Sequence, residues 1–80
     1  MKDKSLLSLS MTRPGQKVRL INIDAGDNLK SRLAAMGILP NVEFTVVSNA
    51  CIGPFVVNVK GSKIALGRGM ARKLTVKAVD

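Results

Sequence analysis

Histidine, tryptophan and tyrosine are missing from this 80-residue chain, and cysteine occurs once, phenylalanine twice and acidic side chains five times. Each shortage removes a class of function. Without His, general acid–base work near neutral pH loses its usual agent, and Cys51 has no such base to draw off its proton. Metal held within one chain takes three or four converging His, Cys, Asp or Glu ligands. Asp3, Asp24, Asp27, Glu43 and Asp80 are too few and too scattered for that. The expectation is therefore no catalytic residue, no cofactor and no intrinsic metal site.

One cysteine cannot close an internal disulfide, which fits a reducing compartment, and Cys51 beside Ile52 reads as a small apolar residue. Apolar runs stay far below the roughly 20 residues of a membrane-spanning helix, and "SLLSLS" is too short and serine-broken for a secretory signal. The expected compartment is the cytoplasm, with no insertion into a membrane. The dearth of aromatics bears on ligands as well. Single-strand nucleic-acid binders stack bases on exposed rings, and proline-rich peptides lie in aromatic-lined grooves. Phe44 and Phe55 share the strand parity of core residues, so neither use is favoured.

What the chain does have is positive charge and aliphatic bulk. Thirteen Lys and Arg give a formal net charge of +8, and 46% of residues are hydrophobic, which suits a compact fold drawn to acidic partners. Between Lys60 and Lys77 the charge has one sign: Lys60, Lys63, Arg68, Arg72, Lys73 and Lys77, with no acid among them.

Residues 1–5 read as a frayed tail and 6–79 as a single domain. "RPGQ" is a turn, with Pro14 presetting φ and Gly15 free to take a positive one, and Lys17–Ile23 follows as a strand. Val18 and Leu20 share one face while Ile21 and Ile23 share the other, which predicts a bulge or bend. Asp27 and Asn28 are candidate N-caps for a helix over 28–36, with Leu29, Leu33 and Met36 on its apolar stripe and Gly37 as its closing residue. The Asp24 and Asp27 pair needs no reading beyond turn former and cap.

Pro40-Asn41 fits a type II turn before a strand over Val42–Val47, whose Val42, Phe44 and Val46 point one way. Phe55, Val57 and Val59 do the same in "FVVNVK", and Gly61-Ser62 is predicted to form a type II′ hairpin turn into Lys63–Leu66. In "ALGRGMARKL", Gly67 and Gly69 are expected to ease the chain around a corner, with Ala71 tucked beneath a helical turn and the strand "LTVKAV" beyond. A GxG with neither a third glycine nor a P-loop lysine is a weak phosphate signal. These elements predict an all-β fold, a small barrel of about five strands with one short helix.

The order of these pieces resembles the FeoA family. Arg32-Leu33, Met36-Gly37, Pro40-Asn41, Gly53-Pro54, Ile64-Ala65-Leu66 and Ala71 fall in the family's sequence, over roughly residues 6 to 79. Asn41 stands where the family most often has Gly, and Gly67 and Gly69 stand where charged or polar residues are commoner. The resemblance implies an SH3-like barrel that serves bacterial ferrous-iron uptake by docking onto the cytosolic, GTPase-containing region of the transporter FeoB, at the inner face of the plasma membrane. The same domain type ends some metal-dependent transcriptional repressors, and the expectation here is the free-standing form. Candidate docking residues are Arg32, Arg68, Arg72 and Lys73, the last three read as a basic rim displayed outward. A small basic nucleic-acid-binding barrel is the alternative reading, and assembly into a homo-oligomer stays open.

Overall fold

Apolar residues at alternate positions line the inside of a curled, six-stranded antiparallel sheet in the computed structural model, which describes residues 6–49 and 52–79. The expectations for residues 1–5 and for Cys51 lie outside the described residues. The strands are β1 (Leu6–Ser8), β2 (Lys17–Ile23), β3 (Glu43–Ser48), β4 (Phe55–Val59), β5 (Ser62–Leu66) and β6 (Leu74–Ala78), in the order β1-β6-β2-β3-β4-β5. A 3₁₀ turn spans Leu9–Met11, and two helices, α1 (Asp27–Ala35) and the one-turn α2 (Arg68–Ala71), fill connections. The fold is the predicted all-β one with a single substantial helix. Six strands form rather than about five because Leu6–Ser8, at the lead-in, pairs with β6 at Leu6↔Lys77 and Ser8↔Thr75.

The bulge expected in β2 is present. Its register against β6 shifts between Leu20 and Asn22, so Ile21 is the extra residue. That shift lets Val18, Leu20 and Ile23 all face inward although the spacing changes from two to three. They join Phe44 and Val46 of β3, Phe55, Val57 and Val59 of β4, and Leu74 and Val76 of β6 in one core, both phenylalanines included.

α1 closes in a Schellman motif: the Gly37 N–H donates to the Ala34 carbonyl and the Ile38 N–H to that of Leu33, both at 2.9 Å. Gly37 sits at φ +88°, the left-handed position for which glycine was predicted. The start of the helix differs from expectation, since Gly26 is the N-cap and Asp27 the first helical residue, with no side-chain cap bond. Its carboxylate instead lies in the first turn, where the helix dipole favours negative charge. Met36 also leaves the predicted stripe and is 38% exposed, because the Schellman turn swings Ile38 into the core in its place.

Two β-turns match the sequence reading and one corrects it. Gly15 at φ +88° follows Pro14, and Asn41 at φ +76° follows Pro40 with a 3.0 Å bond from the Val42 N–H to the Leu39 carbonyl. The β4–β5 hairpin, however, turns on Lys60-Gly61, not on Gly61-Ser62. Both residues have positive φ, +52° and +87°, which is a type I′ turn, and the Asn58 side-chain oxygen accepts from the Gly61 N–H at 2.9 Å. The register Val59↔Ser62 follows from that two-residue loop.

Glycine is required at Gly37 but not in α2, whose Gly69 has no positive φ and open space around a built Cβ. Replacing Gly37 with Ala is expected to cost about 1–2 kcal/mol. Gly69→Ala should be neutral or stabilise by about 0.5 kcal/mol. Urea denaturation of the two variants checks the contrast.

Candidate functional site

α2 and the turn after it carry three of the four candidate docking residues, and they do not behave alike. Arg72 and Lys73 are exposed, as is Arg32, on α1. Arg68 is half-buried rather than displayed on the rim, because a partner 19 residues away in sequence draws it in. That partner is Asn49, which follows the last residue of β3.

Asn49 is the centre of a small polar knot. Its side-chain oxygen accepts from Arg68 Nη1 at 2.9 Å, while its Nδ2 donates to the carbonyls of Ser10 at 3.1 Å and Thr12 at 2.6 Å. An amide supplies one acceptor and two donors, and here all three are used in the one orientation that fits them. The Thr12 hydroxyl, in the only buried polar residue among those described, donates to the Leu9 carbonyl at 2.6 Å. Ser8 Oγ reaches back to the Arg72 carbonyl at 3.3 Å and to that of Ala71 at 3.4 Å. The 3₁₀ turn, the end of β3 and α2 are thereby joined at one place.

Arg68 enters this knot incompletely satisfied. Its Nε and Nη2 are each exposed by less than 1 Å² and have no hydrogen-bond partner. The ion pairs among the described residues both go to Glu43, from Arg19 at 2.6 Å and from Lys17 at 3.7 Å, and none reaches Arg68. A buried donor without a partner costs about 1–3 kcal/mol, more when charged.

Gly67 and Gly69 flank Arg68, and their predicted role does not hold. Gly67 has φ −66° and ψ 149°, Gly69 has no positive φ, and a Cβ built at either meets nothing within 4 Å. The chain turns this corner without needing glycine. Asn49 was the residue missed in the sequence; the signal for it was a lone amide directly after an apolar strand, which becomes informative only once its distant partners are known. Among the described residues no group of three or more metal-ligating side chains converges. An open groove of about 280 Å³ lies elsewhere, between Lys30, Ser31 and Ala34 of α1 and the apolar Ile23, Ile38 and Leu39.

Comparison with known proteins agrees on one family. The FeoA domain model matches residues 7–78. A relative from Methanocaldococcus jannaschii that carries the name Fe(2+) transport protein A is 39% identical over 72 residues, which cover 90% of this chain and 87% of its own. The crystal structure of a FeoA described as an iron uptake regulatory protein superposes with a TM-score of 0.86 at 31% identity, covering 92% of this chain and 99% of that one. IdeR of T. acidophilum superposes at 0.84 with 19% identity, over 99% of this chain and 37% of its own, a likeness of fold alone.

Two outcomes follow from the bonding just described. Asn49→Ala strips the carbonyls of Ser10 and Thr12 and the Arg68 guanidinium of a partner at once, and is expected to destabilise the fold by about 2–3 kcal/mol in urea denaturation. Glu43 behaves differently. The Arg19 hydrogen bond holds its carboxyl below the ordinary value of 4.5, with the charges of Arg19 and Lys17 adding to the effect. A depressed folded-state pKa stabilises at all pH above the ordinary value and stops doing so as pH falls through the folded one. Thermal unfolding across acid pH should therefore show a flatter decline for Glu43→Gln than for the native chain.

Proposed function

Because the chain belongs to the FeoA family, which is associated with Fe(2+) transport, we propose that it is a cytoplasmic accessory of ferrous-iron uptake that docks onto the cytosolic region of the transporter FeoB. In this reading residues 6–79 act as one docking module, recruited to the inner face of the plasma membrane by its partner and regulating it without catalysing a reaction. No helix among the described residues is long and apolar enough to cross a membrane. The observation that carries the reading is the exposed pair Arg72 and Lys73 beside the under-satisfied Arg68, a basic surface to which no described acid is paired. Such a surface steers an acidic protein face toward it, with a strength that falls as salt rises.

Nucleic acid is the weaker use of that charge. Phe44 and Phe55 are both buried in the core, so no aromatic is left to stack a base. A pull-down with the FeoB cytosolic region at low salt is expected to retain the chain. Arg72→Glu with Lys73→Glu should weaken retention about tenfold while leaving thermal unfolding unchanged. Failure of the native chain to be retained at low salt would remove the proposal, and a steeply salt-dependent titration with single-stranded RNA would put the nucleic-acid reading in its place.

A further inference from the structure

β5 ends the strand order, with β4 on one side and no strand on the other among the described residues. Its alternate residues therefore have different duties. In a hairpin closed by a two-residue turn, the residues flanking the turn exchange both backbone bonds, and bonded pairs recur at every second position from there. Val59↔Ser62, Val57↔Ile64 and Phe55↔Leu66 are thus the bonded pairs, and the N–H and C=O of Lys63 and Ala65 point away from β4. No hydrogen bond among the described residues goes to either of them, and both residues are exposed.

The two faces of this edge differ. On the inner face Ile64 packs against the core yet is only half-buried, while Leu66 beyond it is buried. On the outer face Lys63 lies opposite Asn58, whose side-chain oxygen already accepts from the Gly61 N–H. Neither Lys63 nor the exposed Lys60 nearby belongs to an ion pair of the described residues. The edge therefore lacks an apolar neighbour on one face and an acid on the other.

We propose that the free edge of β5 takes up an extended segment of a protein partner as an additional antiparallel strand, in which acidic and apolar residues alternate. Opposed residues of paired strands share a face, so the segment sets an acid beside Lys63 and an apolar side chain beside Ile64. The backbone groups of Lys63 and Ala65 hold the segment, and its alternate side chains give the choice of sequence. Only another polypeptide offers donors and acceptors alternating at this spacing, which makes the occupant a protein. Charge then decides which protein. Each copy of this chain carries +8, and a two-fold pairing centred on Lys63 sets two lysines face to face. Lysine on an edge strand guards against such self-pairing, whereas toward an acidic strand the same charge is an attraction. β5 leads through Gly67 into α2, so the exposed Arg72 and Lys73 belong to the same basic stretch of chain. This inference rests on the docking reading and deepens it, by naming the edge at which a partner is held and the kind of segment it offers.

The test uses the whole ¹⁵N-labelled chain at low salt and the blocked peptide acetyl-Glu-Val-Glu-Val-Glu-amide, read by the water-exchange rates of backbone amides. At a peptide concentration about nine times its Kd, the Lys63 and Ala65 amides should exchange about tenfold more slowly. Ile64 and Leu66, already bonded to β4, should be slow with or without it. Methylating the Glu nitrogens of the peptide should abolish the effect, and methylating the Val nitrogens, which face away from β5, should preserve it. Lys63→Glu should unfold at the native temperature and weaken peptide binding about tenfold. Unchanged Lys63 and Ala65 rates, equal binding of acetyl-Gln-Val-Gln-Val-Gln-amide, or protection that rises with the concentration of the chain alone overturns the proposal. Retention by the FeoB cytosolic region with both amides exchanging as in the free chain overturns this edge while sparing the docking reading. Peptide protection without FeoB retention upholds the edge and rejects that partner.

Discussion

One extra residue in β2 lets a seven-residue strand serve two neighbours and a single core. Lys17, Val18 and Arg19 pair with β3, while the run from Val18 to Ile23 pairs with β6, and the two demands are reconciled at Ile21. Without the bulge, period-two alternation would turn Ile23 to the outside and leave the region beneath α1 unfilled. With it, the sheet bends sharply enough for β6 to bring β1 alongside, and for α2, just before β6, to meet the 3₁₀ turn. The contact between Arg68 and Asn49 depends on that closure.

Reading the sequence succeeds where the local signal and the tertiary demand coincide. Lys17–Ile23 has its predicted bounds, and Gly15, Gly37 and Asn41 take the positive φ that their turns require. It fails where the outcome is set from far away or by a shift of one residue. Leu6–Ser8 is too short to show a period, and only its pairing with β6 makes it a strand. Lys60-Gly61 and Gly61-Ser62 are both chemically sensible hairpin turns; the alignment of Val57 and Val59 with Ile64 and Ser62 selects the first, and Asn58 supports it. Arg68 looks like a rim charge in sequence because nothing nearby in the chain contradicts that, and its inward course is decided by Asn49.

Two groups among the basic residues of this chain differ in their consequences. On the outer face of the sheet, Lys77, Arg19 and Glu43 lie in one cross-strand row, and Lys17 also reaches Glu43, so Glu43 relieves the repulsion between Arg19 and Lys17. Around α2 no described acid does the same. Charge left uncompensated on a small domain works against compactness through self-repulsion, and it favours whatever acidic surface can supply the missing counter-charges. The two groups thus separate a face on which one acid offsets part of the positive charge from one on which no described acid does so.

That separation bears on how a fold shared with a metal-dependent repressor can serve a transport-associated chain. The SH3-like sheet is held by its apolar core and by the bulge at Ile21, neither of which involves Gly67, Arg68 or Gly69. A Cβ at either glycine would meet nothing within 4 Å, so the barrel does not require glycine there. Residues in such a position are free to be shaped by what approaches from outside. A stretch that began as a basic, glycine-bearing corner is therefore better understood as a surface the core supports but does not specify, with Asn49 as the one tie that sets the plane of its central arginine.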